Sequence, residues 1–141
     1  MSSSAVVFAI SMGTLIAAHQ FADHIIQTDT DANSKANPGW DGWRHLLIHV
    51  GTYHLAALVM LLITAAVLEV PVSVTGIIAG LGFSAVTHAV LDRRWPVRWI
   101  LEHTGSAAFA ELKTPLCGMY LADQALHYGC LWIAALLIAC L

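Results

Sequence analysis

The stretch VSVTGIIAGLGFSAVTHAVLD, residues 72–92, decides how this chain folds. Most of its residues are apolar, and a helix of about 20 apolar residues crosses the hydrocarbon core of a bilayer. Gly76, Gly80 and Ser84 recur at every fourth position, and small side chains at this spacing let two membrane helices approach closely. The stretch therefore predicts a membrane-spanning helix with one face packed tightly against a neighbour.

The composition of the whole chain also indicates a membrane protein. Of its 141 residues, 58% are apolar and only 11% are charged, which is less than half the charged fraction of a typical soluble domain. The net charge is −3 and no basic run occurs, so we expect no nucleic-acid partner. The three cysteines form no CxxC pair, which predicts neither a disulfide nor a thiolate metal site. Because no basic residue precedes the first apolar stretch, a retained span is favoured over a cleaved signal peptide.

Four apolar stretches are each long enough to cross a membrane as a helix. Two long polar loops and one short turn connect them. We therefore predict an all-α fold in a single integral membrane domain, residues 1–141, with four transmembrane helices in an up-and-down bundle. The predicted spans are residues 5–26, 44–68, 72–91 and 119–141.

The two long loops, residues 28–42 and 93–118, predict the orientation of the bundle. All six Lys and Arg residues lie in or beside these loops, and short loops rich in Lys and Arg stay in the cytoplasm. Both termini are therefore expected outside the cytoplasm. Residues 97–112 mix aromatic and polar side chains, a pattern that suits a helix lying on the membrane interface.

Histidine, with eight copies, is the commonest ionisable residue, and its placement is regular. Each predicted span carries two ionisable residues four positions apart, on one face about one helical turn from each other. Although neighbouring helices run in opposite directions, all four pairs fall toward the end with the long loops. Scattered polar residues would not meet this condition in every helix. The pairs are His19 and Asp23, His45 and His49, His88 and Asp92, and Asp123 and His127.

Ionisable groups inside a membrane helix cost about 2–3 kcal/mol on insertion scales, so they normally face the bundle interior and pair with one another or serve a function. Imidazole and carboxylate together suit Zn²⁺, Mn²⁺ or Fe²⁺, and helical bundles build metal sites from such facing pairs. We predict a site for one or two divalent ions near the cytoplasmic leaflet. A metal-free hydrogen-bond network and a proton or ion pathway stay open as alternatives. The predicted ligands are His19, Asp23, His49, His88, Asp92, Asp123 and His127.

Further polar residues near this end receive separate interpretations. His24 and His54 lie five residues from His19 and His49, about 140° around the helix, and each is expected to contact a ligand residue or a neighbouring helix rather than the ion. His45, next to Arg44, is equally consistent with a ligand and with an interfacial residue. Three basic residues at the same interface could hold a phosphate; they are Lys35, Arg93 and Arg94.

The pattern resembles that of the family called domain of unknown function 3307, small membrane proteins of bacteria and phages. The resemblance implies a multi-span protein of the bacterial inner membrane, and it implies no established activity. The chain departs from the family at Thr30 and Asp31, where the family usually has an aromatic and an apolar residue. The pattern is also similar to that of membrane-bound metal-dependent hydrolases. Matching residues cover nearly the whole chain: His19, Asp23, Gln27, Thr28, Asp29 and Lys35; His49 and Tyr53; His88 and Asp92; Asp123, Gln124 and His127.

These features together favour a metal-dependent hydrolase of a lipid or another phosphoester, with Asp23, Asp92 and Asp123 as the candidates for catalysis. A proton or metal-ion transporter and a metal-free structural membrane protein are the alternatives. The halves of the helices away from the long loops offer only hydroxyl side chains as polar groups, which favours a one-sided site over a pore unless the protein forms a homo-oligomer. The expected partners are the lipid bilayer and the substrate.

Overall fold

The computed structural model describes residues 3–141, and every regular element within that range is a helix. Four helices are long and apolar enough to cross a membrane, which confirms the predicted all-α fold and identifies a membrane protein. The first of them ends in a π-helical turn, Ala22–Ile26, that is closed by a bond of 2.8 Å from the Gln27 N–H to the Ala22 carbonyl. The α-helices are α1 (Ser3–Phe21), α2 (Asp29–Ser34), α3 (Gly39–Val67), α4 (Val74–Leu91), α5 (Trp95–His103), α6 (Ala107–Ala110) and α7 (Gly118–Cys140).

The start of α3 lies five residues before the predicted start of the second span at residue 44. Pro38, in extended conformation with φ −68° and ψ 160°, precedes the first turn, and Asp41 lies within that turn. Acidic side chains stabilise the positive end of a helix dipole. The helix therefore begins within polar residues, whereas the prediction from hydropathy began at the first apolar ones. The other spans begin or end within about two residues of the predicted bounds, which is the usual uncertainty of helix ends.

Both long loops contain helices that the sequence prediction did not resolve. In the first loop, Thr28 caps α2 by accepting a hydrogen bond of 3.1 Å from the Asp31 N–H. In the second loop, where the sequence suggests one helix over residues 97–112, the structure has two short helices, α5 and α6, with a break around Gly105. This glycine has φ +83°, a left-handed conformation that glycine adopts readily and that ends a helix.

Apolar side chains fill the half of the bundle away from the long loops. Leu15, Leu61 and Leu131 are almost completely buried there, while Ile78 and Val67 are 68% and 72% exposed. Apolar side chains that face outward cost no free energy in a bilayer, because lipid tails are equally apolar. The buried set, called the outer core below, comprises Val7, Leu15, Ala18, Ala57, Leu61, Leu131, Ala134, Ala135 and Ile138.

Glycines of α4 contact the backbone of α7, as the small-residue spacing predicts. A Cβ atom on Gly80 would lie 2.5 Å from Cγ1 of Ile138 and 2.7 Å from the Ala134 carbonyl oxygen. A Cβ atom on Gly76 would lie 2.7 Å from the Ile138 carbonyl oxygen. The close approach of α4 and α7 therefore depends on the absence of side chains at these two glycines.

Replacing Gly80 with alanine is expected to lower the free energy of unfolding by about 1–3 kcal/mol, because overpacking forces the helices apart. Gly82 is a matched control on the same helix, since a Cβ atom there would meet nothing within 4 Å. Unfolding in detergent micelles by denaturant titration measures both variants. Equal stability of Gly80→Ala and Gly82→Ala would contradict the packing argument.

Candidate metal centre

Four side chains meet at the loop-side end of the bundle, where the π-helical turn, α3 and α4 converge. Nε2 of His49 lies 3.0 Å from Nε2 of His88. Oδ2 of Asp92 lies 3.3 Å from the first of these nitrogens and 3.2 Å from the second. Oδ1 of Asp23 lies 3.4 Å from the His49 nitrogen and 4.0 Å from the His88 nitrogen. Three of the four residues are at most 2% exposed, so the group is largely buried.

The spacing of these atoms fits ligands around one divalent ion. Two ligands bound about 2.1 Å from an ion, at angles of about 90–110°, lie about 3.0–3.4 Å apart. Four of the five separations above fall in that range. Neutral imidazoles whose Nε2 atoms face each other can share only one proton, and a carboxylate is only an acceptor. A shared cation therefore satisfies these nitrogen and oxygen lone pairs better than hydrogen bonds among the four side chains do.

Several buried polar atoms around this point have no hydrogen-bond partner within the described chain. A buried polar atom left unsatisfied costs about 1–3 kcal/mol, so a concentration of such atoms requires an explanation. An ion that accepts lone pairs from oxygen and nitrogen supplies one. The atoms that such an ion would satisfy are Oδ1 of Asp23, Oδ2 of Asp92 and Nε2 of His127, while Nδ1 of His49, the Tyr53 hydroxyl and both ring nitrogens of His19, which lie beside them, also have no hydrogen-bond partner among the described residues.

His127 from α7 forms a second, overlapping group with His88 and Asp92. Nδ1 of His127 donates a hydrogen bond of 2.8 Å to the Asp123 carbonyl oxygen, which leaves the lone pair on Nε2. This Nε2 atom lies 3.9 Å from Oδ1 of Asp92. We call the five residues of the two groups the His/Asp centre: Asp23, His49, His88, Asp92 and His127.

Two other predicted ligands lie just outside the two groups. His19 is fully buried, with Nδ1 at 3.6 Å from Oδ2 of Asp23 and its ring stacked on His127 at a centroid distance of 5.0 Å. Asp123 has a side chain that is 22% exposed, with Oδ2 at 3.6 Å from Nδ1 of His127. The structure thus brings five of the seven predicted ligands together in two overlapping groups of three and places these two beside them.

Lys35 belongs to the site in a way that the sequence did not reveal. Its Nζ atom lies 2.9 Å from Oδ1 of Asp92, and Lys35 is 8% exposed. Burial alone would raise the pKa of Asp92, but the facing imidazole of His88 and the Lys35 ammonium hold it well below its usual range. Lys35 is therefore engaged with a carboxylate rather than exposed for the phosphate that the sequence suggested.

The helix before Lys35 is fixed to the bundle by polar contacts. The Arg93 guanidinium donates hydrogen bonds of 2.8 Å to the carbonyl oxygens of Lys35 and Asn37. Oδ1 of Asp31 lies 2.6 Å from Nδ1 of His45. The hydrogen bond from Thr28 lowers the pKa of Asp31, and His45 adds to the effect. The structure therefore places His45 as an anchor for α2.

His54 and His24 make their contacts elsewhere, in agreement with their expected position off the ligand face. Nδ1 of His54 donates to the Val50 carbonyl oxygen at 2.8 Å, and its Nε2 lies 3.1 Å from the Ser84 hydroxyl. His24 contacts the Tyr120 hydroxyl at 2.7 Å. Both nitrogens of His54 are thus satisfied without an ion.

A cavity of about 710 Å³ reaches the His/Asp centre from the loop side. Three carboxylates lie on its wall, and so do three cationic side chains, one imidazole and one phenol. Trp95 and Met119 add apolar surface. The charged and titratable residues that line the cavity are Asp23, Asp92, Asp123, Lys35, Arg94, Arg98, His24 and Tyr120.

The fold and this centre together define an integral membrane protein with a buried cluster of histidines and aspartates. The model of the family described as protein of unknown function DUF3307 matches residues 12–141, so the chain belongs to that family, as its motifs predict. The match includes every residue of the His/Asp centre. No curated protein and no solved structure matches the chain, and the similarity to metal-dependent hydrolases rests on the residue pattern alone.

Proposed function

We propose that this protein is a membrane-embedded hydrolase that cleaves phosphoesters at a divalent metal centre held by Asp23, His49, His88 and Asp92. The observation that carries the proposal is the convergence of imidazole nitrogens and carboxylate oxygens, at 3.0–4.0 Å from one another, in a buried place. Zn²⁺, Mn²⁺ and Fe²⁺ all suit such imidazole and carboxylate donors. In the orientation favoured by the basic loops, the centre belongs to the cytoplasmic side of the bacterial inner membrane.

The chemistry divides between the ion and the residues around it. A divalent ion bound by these residues would supply Lewis acidity, which would polarise a phosphoryl oxygen and make water more acidic. Asp123 lies on the cavity wall and outside both groups of closely spaced ligand atoms. Its carboxylate is therefore the group best placed to take a proton from the attacking water. The new bond would join the water oxygen to phosphorus as the ester P–O bond breaks, and the departing alkoxide would take the proton that Asp123 received from the water.

The cavity supports an anionic substrate. Arg94 and Arg98 lie on its wall, and guanidinium groups bind phosphate oxygens through paired N–H donors. Arg98 is already paired with Glu111, with Nη1 at 2.6 Å from Oε1, so Arg94 is the better candidate. Arg94 uses one of its N–H groups on the Ala32 carbonyl oxygen, at 2.9 Å, which leaves the others for a ligand. The exposed Trp95 beside the cavity suits the headgroup level of a bilayer, so a phospholipid and a soluble phosphoester can both reach this mouth.

Transport is supported less well, because the outer core fills the bundle beyond the His/Asp centre. Leu15 and Leu61 are completely buried and Leu131 is 2% exposed. A pathway for protons or ions needs polar groups through the whole thickness of the membrane. The apolar packing instead favours a site that opens toward one side.

The proposal is tested on the full chain purified in detergent micelles. Elemental analysis is expected to find about one Zn, Mn or Fe ion per chain, and the loaded protein is expected to release 4-nitrophenol from bis(4-nitrophenyl) phosphate or phosphate-containing headgroups from phospholipid vesicles. Activity on vesicles alone identifies a lipid substrate, whereas activity on the soluble ester identifies a phosphoester site without a lipid requirement. A folded protein that takes up none of these ions would overturn the proposal, and a loaded protein inactive on both substrates would overturn its hydrolase part.

A further inference from the structure

The two groups of ligand atoms share one residue, and this limits how many ions they can hold. One group comprises Asp23, His49 and His88, and the other comprises His88, Asp92 and His127. In both, the contacting atom of His88 is Nε2. This nitrogen has a single lone pair and can bind one ion. A second ion beside the first would therefore depend on the remaining atoms of Asp92 and His127.

One of these remaining atoms, Oδ1 of Asp92, already contacts a cation of the protein, the Lys35 ammonium. Oδ1 of Asp92 lies 3.9 Å from Nε2 of His127, a separation that a second ion could bridge. The same oxygen lies 2.9 Å from Nζ of Lys35. The Arg93 guanidinium donates a hydrogen bond to the Lys35 carbonyl oxygen. This contact fixes the backbone from which the Lys35 side chain reaches Oδ1 of Asp92.

Charge balance leads to the same arrangement. Three aspartates line the cavity as carboxylates, and the three cationic side chains Lys35, Arg94 and Arg98 lie on the same wall, with Lys35 in contact with Asp92 at 2.9 Å. Each divalent ion adds two positive charges to this wall, so a second ion beside the first costs more than the first in a place of low dielectric constant. The aspartates are Asp23, Asp92 and Asp123.

We propose that the ammonium of Lys35 occupies the place of a second divalent ion and thereby keeps the centre mononuclear. This inference rests on the proposed metal centre and adds a residue that sets the number of ions. Lys35 is in this sense a specificity-determining residue. It acts through Asp92, because its ammonium occupies Oδ1 and so prevents this oxygen from binding a second ion.

The test is the number of zinc ions per chain after dialysis against excess Zn²⁺ and desalting. We expect about one ion in the unmodified protein and about two in Lys35→Ala and in Lys35→Met, which keeps the length of the buried stem. Lys35→Arg preserves the charge and is expected to bind about one. The double variant Lys35→Ala, His127→Ala is expected to return to about one, because the second ion loses its imidazole. Arg94→Ala removes another cation of the same cavity and is the matched control, again with about one.

The outcomes separate this inference from the proposed function. No zinc in the folded, unmodified protein overturns the metal centre and the inference with it. One ion in the unmodified protein and in both neutral Lys35 variants overturns the inference alone, and so do two ions in the unmodified protein. Two ions in Arg94→Ala show that general loss of positive charge, and not the position of Lys35, controls the number, which also overturns it.

Discussion

Substitution of His88 by alanine is expected to empty the metal centre, with the affinity for zinc falling more than about 100-fold. His88 is the residue common to both groups of ligand atoms, and its Nε2 lies 3.0 Å from His49 and 3.2 Å from Asp92. Loss of residues that merely orient metal ligands costs about 10–100-fold in affinity, so loss of a central ligand costs more. Competition with a chromophoric chelator measures the dissociation constant, and elemental analysis measures the bound ion.

The matched control for this substitution is His54→Ala. His54 is a half-buried histidine of the same bundle, but its two nitrogens are engaged by Val50 and Ser84. This variant loses an imidazole of the membrane interior and is expected to retain its zinc with less than about a tenfold change in affinity. Similar losses in His54→Ala and His88→Ala would mean that metal depends on the fold in general and would contradict the assignment of His88.

The long helices could be predicted because hydropathy and length determine them directly. A span of about 20 apolar residues has few structural options in a bilayer, and the spacing of Gly76 and Gly80 further identified the face of α4 that contacts α7. The short helices were harder. The sequence of α2, DTDANS, is polar except for Ala32, so it carries no hydropathy signal. The helix is held instead by the Thr28 cap and by the contact of Asp31 with His45.

The candidate site could be located from pairs at helical spacing, since residues four apart share a face whatever their tertiary surroundings. This spacing does not determine which residue of a pair lies at the level of the His/Asp centre. In the pair on α3, His49 reaches the centre while His45, one turn nearer the loops, contacts Asp31 instead. Spacing also says nothing about side chains that arrive from a loop. Lys35 meets Asp92 across 57 positions of sequence through the fold of α2, and no local pattern contains that contact.

Lys35, at the end of α2 in the first long loop, compensates the charge of a buried carboxylate, that of Asp92. A buried carboxylate that lost its cationic partner would remain as an uncompensated charge, which costs several kcal/mol in a medium of low dielectric constant. Asp92 therefore requires compensation in every state of the site. Lys35 supplies part of it on one oxygen, and the other oxygen, which faces His49 and His88, remains for metal.

Replacing Asp123 by asparagine is expected to reduce hydrolysis about 10²–10⁴-fold, the usual contribution of a general base, while the zinc content stays unchanged. Asparagine has the shape of aspartate but cannot take up the proton of water. The backbone carbonyl of residue 123, which holds Nδ1 of His127 at 2.8 Å, is retained. The decrease is therefore expected in kcat, with KM changed little, because the guanidinium groups that bind the phosphate are not altered.

Asp41→Asn provides the control for the lost charge, because the Asp41 side chain is 65% exposed on the same side of the membrane. It removes an equal charge outside the cavity and is expected to leave both zinc content and kcat within about twofold. An Asp123→Asn variant that keeps full activity with its zinc would exclude Asp123 as the base. A variant that loses its zinc would instead place Asp123 among the ligands. Since the carboxylate lies 3.6 Å from the backbone-anchored nitrogen of His127 and beyond the two ligand groups, we expect the ion to stay.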